Sequence, residues 1–221
     1  MTESSTSSTI AHDLRVSLDE RLRARDRAGA VSLTLQAVHD DRISVPDLYV
    51  SVLSPLLADI GSAWKHGREQ VWEEHLASHI VGTIIEALYP TVISQAQKVP
   101  RLHRCVLLAC PPEERHELGL RMLSDRFELA GWDVTFLGGD VPLDQIVSAA
   151  KSTEAELVAL SVSTVFERVA LREFIDRLRN ELPGARVVVG GPAFAFDRSW
   201  PSDDLLDTAD LGLPGASGAV S

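Results

Sequence analysis

The apolar residues of this 221-residue chain change their repeat near residue 100. Upstream they recur every three or four positions, the spacing of one helix face. Downstream, short apolar runs alternate with amphipathic stretches. No single layer of structure satisfies both repeats, so two domains of different architecture are expected. The fold class that follows is α/β: an N-terminal four-helix-type bundle, then a C-terminal doubly wound parallel sheet of Rossmann-like type. In this reading residues 10–97 form the helical domain, 98–103 a linker and 104–221 the α/β domain. Residues 1–9 are rich in Ser and Thr and are expected to be a disordered tail.

In the helical part, Ile10, Leu14, Leu18 and Leu22 repeat every four residues and define one face. Gly29 is the expected break, with Val31, Leu35 and Val38 on the helix after it. Pro46 suits the first turn of a third helix. That helix carries the apolar face Leu48, Val52, Leu53, Leu56, Leu57 and Ile60, with Pro55 expected to kink or restart it. The longest helix is expected from Val71 to Tyr89, with Leu76, Ile80, Ile84 and Leu88 inward. Pro90 marks its end, unless Val92 and Ile93 extend it past a kink.

From Cys105 onward the expected order is strand Cys105–Ala109, helix Glu114–Ala130, strand Asp133–Leu137, helix Pro142–Ser152, strand Leu157–Leu160, helix Val169–Leu182 and strand Arg186–Val189. The region around Leu211 is a candidate fifth strand. Strands separated by helices imply a parallel sheet, and ligands in such sheets bind beyond the carboxyl ends of the strands.

Composition narrows the function classes. A formal net charge of −11 argues against a nucleic-acid surface, which needs clustered Lys and Arg. No apolar run reaches the roughly 20 residues of a membrane span, and no basic-then-apolar segment opens the chain. Cys105 and Cys110 lie on one strand and form no disulfide framework, so a reducing cytoplasm is the simplest location. There is no nucleophile elbow, phosphate loop or Cys/His zinc spacing, and autonomous enzymatic activity is not expected.

The chemistry-bearing residues fall at the strand ends. Glu114-x-His116-x-x-Gly119 follows the first strand, Ser161-x-Ser163-Thr164 the third, and Gly190-Gly191 the fourth. Imidazole nitrogen is a common transition-metal ligand, so His116 could hold a metal, and Glu114, two residues before it, could engage its other ring nitrogen or face solvent. Each element alone is equally a surface histidine, a strand-end hydroxyl or a turn. As a set, with forty-one residues between Gly119 and Ser161 and twenty-six between Ser163 and Gly190, they resemble the fingerprint of cobalamin-binding domains. Those domains hold the corrinoid base-off with a protein His on cobalt. The family pattern is Asp-x-His-x-x-Gly, Ser-x-Leu and Gly-Gly; Glu114 replaces its Asp and Ser163 its Leu. The resemblance covers roughly residues 100–215. It implies that His116 ligates cobalt, with Glu114 as one leg of its relay. It also implies that Gly119, Ser161, Ser163, Thr164, Gly190 and Gly191 accommodate the displaced nucleotide tail.

In the helical half, Trp64 is followed by nine residues and then Glu74-His75. This pattern resembles the helical cap of light-sensing cobalamin proteins, the CarH-type repressors. The resemblance implies that the cap covers the upper corrin face and that Trp64, Glu74 and His75 surround a 5′-deoxyadenosyl group. Core packing of Trp64 and a solvated Glu74-His75 face is the other reading. Lys65 stands where some of these repressors place a His, so a second axial ligand there would have to come from His66, His75 or His79. Cap and cobalamin module together also resemble the photocobilins, which implies a noncovalent biliverdin as a second chromophore.

The expected function is therefore that of an adenosylcobalamin-binding photoreceptor module, signalling through a homo-oligomer or a partner protein, without direct nucleic-acid or membrane contact. A corrinoid shuttle protein of a methyltransferase system and a passive cobalamin-binding module remain open alternatives.

Overall fold

A computed structural model describes residues 2–66, 70–163, 168–194 and 200–215. The chain divides into two units, one formed by Met1–Ser94 with Pro214 and Gly215, the other by Gln95–Leu213. The first is helical: α1 (Thr2–Arg23), α2 (Arg27–His39), α3 (Val45–Leu48), a π-helical stretch (Tyr49–Leu53), α4 (Ser54–Lys65) and α5 (Val71–Ala96).

Helix α1 begins at Thr2, where a disordered tail was expected. No Gly or Pro interrupts this segment, so a helix anchored by Leu14, Leu18 and Leu22 can propagate back into the Ser/Thr run. Each of those buried leucines contributes roughly 1.5–3 kcal/mol of apolar transfer. The break expected at Gly29 lies earlier. Arg25 takes a left-handed φ of 59°, and Asp26 caps α2 by accepting the Gly29 N–H at 2.8 Å. Gly29 is thus in the first turn of α2. This helix buries a stripe of small residues, Ala30, Thr34 and Ala37, beside Val38, while Val31 and Leu35 are only half-buried. The Thr34 hydroxyl is satisfied by donating to the carbonyls of Ala30 and Val31.

The two prolines act as local chemistry dictates, with one surprise. Pro46 sits in the first turn of α3 behind the Ser44 cap. Pro55 has no N–H to offer an α-helical ladder. The backbone before it opens into a π turn, with the Ser54 hydroxyl donating to the Tyr49 carbonyl at 2.8 Å. Pro90, expected as a terminus, lies inside α5, which continues to Ala96. Pro90 and Glu86 are on the exposed side. The buried face of Ile80, Ile84, Leu88, Val92 and Ala96 runs unbroken past it. Tertiary burial outweighs the lost ladder bond. By length and composition α5 is also the one described helix apolar enough to cross a membrane, against the expectation that no run qualifies; its inner face is core of the helical unit.

The second unit carries β1 (Cys105–Ala109), α6 (Leu118–Leu129), β2 (Asp133–Gly138), α7 (Leu143–Ser152), β3 (Leu157–Ser161), α8 (Arg168–Glu181) and β4 (Arg186–Gly190). All strand pairs are parallel, in the order β2-β1-β3-β4. Alternate residues supply two cores. Leu107, Ala109, Val158, Leu160, Val187 and Val189 pack with Ile146, Ile175 and Leu178 of α7 and α8. Val106, Leu108, Leu157, Ala159 and Val188 pack with Leu120 and Phe127 of α6 and with Trp132. No fifth strand forms near Leu211. Residues 208–212 are turn, and among the described residues the free edge of β4 receives a single bridge, from Val189 to Leu205. Gly212 takes φ 64°, a left-handed conformation that turns the chain where a strand would have to continue. Because the connections after β1 and β3 leave in opposite directions, a crevice opens between their carboxyl ends.

Candidate functional site

His116 does not lie on α6, as the expected helix from Glu114 would have it. It sits in the loop between β1 and α6, which starts only at Leu118. The reason is the buried carboxylate of Glu114, 1% exposed. One Glu114 oxygen accepts the His116 backbone N–H at 2.9 Å and lies 2.6 Å from His116 Nδ1. The other accepts the Ser163 backbone N–H at 2.7 Å, from the segment after β3. A single carboxylate thus ties together the two strand ends that flank the crevice. Three donors around a buried carboxylate fix it as an anion-type acceptor.

The consequence for His116 is chemical. With Glu114 ionised, Nδ1 is the donor in this contact, which leaves the lone pair of the neutral ring on Nε2. The His116 side chain is 64% exposed, with the ring standing out from the crevice rather than folded into the core. Among the described residues no three His, Cys, Asp or Glu side chains converge as a metal site. A lone oriented imidazole suits a metal whose other positions are filled by a macrocycle. The backbone beside it leaves room for such a group. A Cβ on Gly119 would meet nothing within 4 Å, so the start of α6 presents bare backbone to open space.

Ser161 is the last residue of β3 and pairs in register with Gly190, the last of β4. Gly191 takes φ 105°, and a Cβ there would stand 2.5 Å from the Val162 carbonyl oxygen. A Cβ on Gly190 would make only ordinary contact with Leu206. Of this glycine pair, Gly191 is demanded by the fold. Thr164 lies outside the described residues. Glu114, His116 and Ser163 are therefore joined directly, while Ser161, Gly190 and Gly191 line adjacent strand ends.

Sequence reasoning missed the loop after β2. Gly138 (φ 81°) and Asp140 (φ 58°) are left-handed. A Cβ on Gly139 would come within 3.2 Å of Arg115 Cα and the Glu114 carbonyl oxygen. The Asp140 N–H donates to that Glu114 carbonyl at 2.8 Å. The Asp140 carboxylate accepts the Glu113 N–H at 2.8 Å and pairs with Arg115 at 3.1 Å. The Glu113 backbone bond, and then Arg115, hold the Asp140 carboxyl below its usual range. The signal was legible as Gly-Gly-Asp directly after a strand. Beneath the His116 loop, Cys110 is buried, and burial, with the Glu114 and Glu117 charges, pushes its thiol up to about 12.

In the helical unit, Trp64 is 45% exposed and is no core residue. Glu74 accepts from the Ser78 hydroxyl at 2.8 Å and lies 3.4 Å from His75 Nε2, whose side chain is 69% exposed. His66 Nδ1 is engaged by the Ser62 carbonyl at 2.7 Å. Val71 and Trp72, at the start of α5, are both half exposed. The Arg25 guanidinium lies over the Trp72 ring at 4.8 Å.

Comparison with known proteins agrees with this arrangement. Residues 104–210 match the family model described as B12 binding domain, and residues 15–89 match a second model of the same description. The chain is 38% identical to the HTH-type transcriptional repressor CarH of Myxococcus xanthus over 146 residues, 64% of this chain and 46% of that protein. It is 35% identical to the HTH-type transcriptional repressor CarA of the same organism over 182 residues, 78% and 58% respectively. The chain thus spans about half the length of these repressors. Among solved structures, the monomethylamine corrinoid protein of Methanosarcina barkeri shares the fold with a TM-score of 0.70 at 17% identity, over 89% of this chain and 91% of that one.

Proposed function

We propose that this chain, whose residues 104–210 and 15–89 match two models described as B12 binding domain, binds cobalamin and senses light through adenosylcobalamin. The observation that carries the cofactor assignment is the His116 ring. A buried carboxylate holds one of its nitrogens, and the other faces out. In this reading His116 Nε2 holds the cobalt, and Glu114 fixes the tautomer and orientation of the ring. Gly119, Ser161, Ser163, Thr164, Gly190 and Gly191 take the nucleotide tail. When bound, adenosylcobalamin supplies a cobalt–carbon bond that light breaks.

The light-sensing part rests on the helical unit. Trp64 presents an exposed indole face suited to an adenosyl group, and the Glu74 carboxylate is suited to ribose hydroxyls, with His75 beside it. Similarity to the two repressors extends into this unit. The protein acts as a regulator and not as a catalyst, and it passes its signal through a second copy or a partner protein. The photocobilin-like form of this reading adds noncovalent biliverdin.

A corrinoid shuttle for methyl groups is the second reading, favoured by the end-to-end likeness of fold to a corrinoid protein. An adenosyl pocket would be idle in such a carrier, so Trp64 and Glu74 distinguish the two. The test is reconstitution with adenosylcobalamin and absorption spectroscopy in the dark and after green light, with and without biliverdin. A stable dark spectrum that converts on illumination supports the sensor. Red bands that respond to light only with biliverdin support its photocobilin form. Tight methylcobalamin binding with no more photochemistry than free cofactor supports the shuttle. No cobalamin binding overturns both.

A further inference from the structure

The loop that carries His116 is an unusual conformation held from outside. Glu113 is left-handed at φ 69° although it is not glycine, a state that side chains avoid without external support. Its N–H is taken by the Asp140 carboxylate at 2.8 Å. One residue on, the Glu114 carbonyl accepts the Asp140 N–H at 2.8 Å. Beyond His116, the Glu117 carboxylate accepts the Gly139 N–H at 3.0 Å. The segment 113–117 is therefore gripped on both sides of His116 by Gly139 and Asp140, with backbone against backbone at Gly139. The Arg115–Asp140 pair is the lesser part, since Arg115 is 80% exposed and exposed pairs contribute little.

We infer that Asp140 is a positioning residue for His116: through the Glu113 N–H it holds the loop in the one conformation that aims Nε2 outward, and so sets how strongly that nitrogen holds cobalt. The inference rests on the assignment of His116 as the cobalt ligand. Asp140 touches neither the imidazole nor the Glu114 carboxylate in any described contact. It acts by confining the backbone between them and the sheet. Groups hydrogen-bonded to a metal ligand change its affinity by about 10–100-fold, and Asp140, one step further out, is expected at the lower end.

The full chain is loaded with cob(II)inamide, a corrinoid without its own base, and examined by electron paramagnetic resonance. Any nitrogen splitting of the cobalt lines then comes from the protein. In the wild-type protein each line should split into a triplet, and His116→Ala should abolish it. Absence of splitting in the wild type overturns the ligand assignment itself, and the positioning role with it. Given the triplet, Asp140→Ala, with an unchanged circular dichroism spectrum, should lose most of the nitrogen-split fraction and bind cobinamide about tenfold more weakly. Asp140→Asn keeps an oxygen for the Glu113 N–H and should retain the wild-type signal, as should Arg115→Gln. If Asp140→Ala does not fold, Gly139→Ala probes the same grip by pressing on Arg115 Cα, with the same loss of splitting expected. A folded Asp140→Ala or Gly139→Ala protein with the full triplet and unchanged affinity overturns the inference.

Discussion

Glu114 shows how one side chain sets the chemistry of another. All three of its described partners at the site are donors: the His116 N–H, His116 Nδ1 and the Ser163 N–H. A Gln at this position keeps the shape but has only one oxygen, so its amide must face at least one donor. Glu114→Gln should therefore weaken cobalamin binding by about tenfold or more, measured by absorbance titration. It should also lower stability by about 1–3 kcal/mol, the range for a buried polar group left mismatched, measured by urea unfolding. The family resemblance pointed to this carboxylate as one leg of a relay. The role of the longer Glu arm was not legible, because the Ser163 N–H it reaches lies 49 positions away in sequence.

At the scale of elements, caps and glycines separate what the fold needs from what a ligand needs. The Asp26 carboxyl is held below 3.8, first by the Gly29 N–H and then by Arg21. A carboxyl depressed in the folded state contributes stability at all pH above its unfolded value and loses it as pH falls through the folded one. Asp26→Ala should thus lower the Tm at pH 7, with the difference shrinking as the pH falls through the lowered folded value. Gly29→Ala should also lower the Tm despite the better helix propensity of Ala, since its Cβ would sit 2.0 Å from Asp26 Oδ2 and break the cap. The glycines of the α/β unit divide in the same way. Gly191→Ala, with φ 105° and a carbonyl in its path, should cost about 2 kcal/mol or more in urea unfolding. Gly119→Ala meets nothing. It should leave apo stability unchanged or raise it by up to about 1 kcal/mol, while cobalamin binding measured by absorbance titration falls.

Over the whole molecule, ligand binding should couple to the stability of the α/β unit, because the proposed contacts come from the ends of β1, β3 and β4 together. Adenosylcobalamin at a hundredfold excess over its Kd should add about 2.7 kcal/mol to unfolding, and His116→Ala should lose most of that gain in a thermal shift measured in the dark. The two architectures, the four strands and the nearness of His116, Ser161 and Gly190 to the carboxyl ends of strands were all legible in the chain. Each follows from side-chain period and from residue types that act over a few neighbours. The helical Thr2 start, the passage of α5 through Pro90, the turn at Leu211 and the grip of Asp140 on Glu113, 27 positions away, were not. Local preference is weak at those places, and what wins is burial or a hydrogen bond supplied by a segment distant in sequence, which only the folded chain brings into contact.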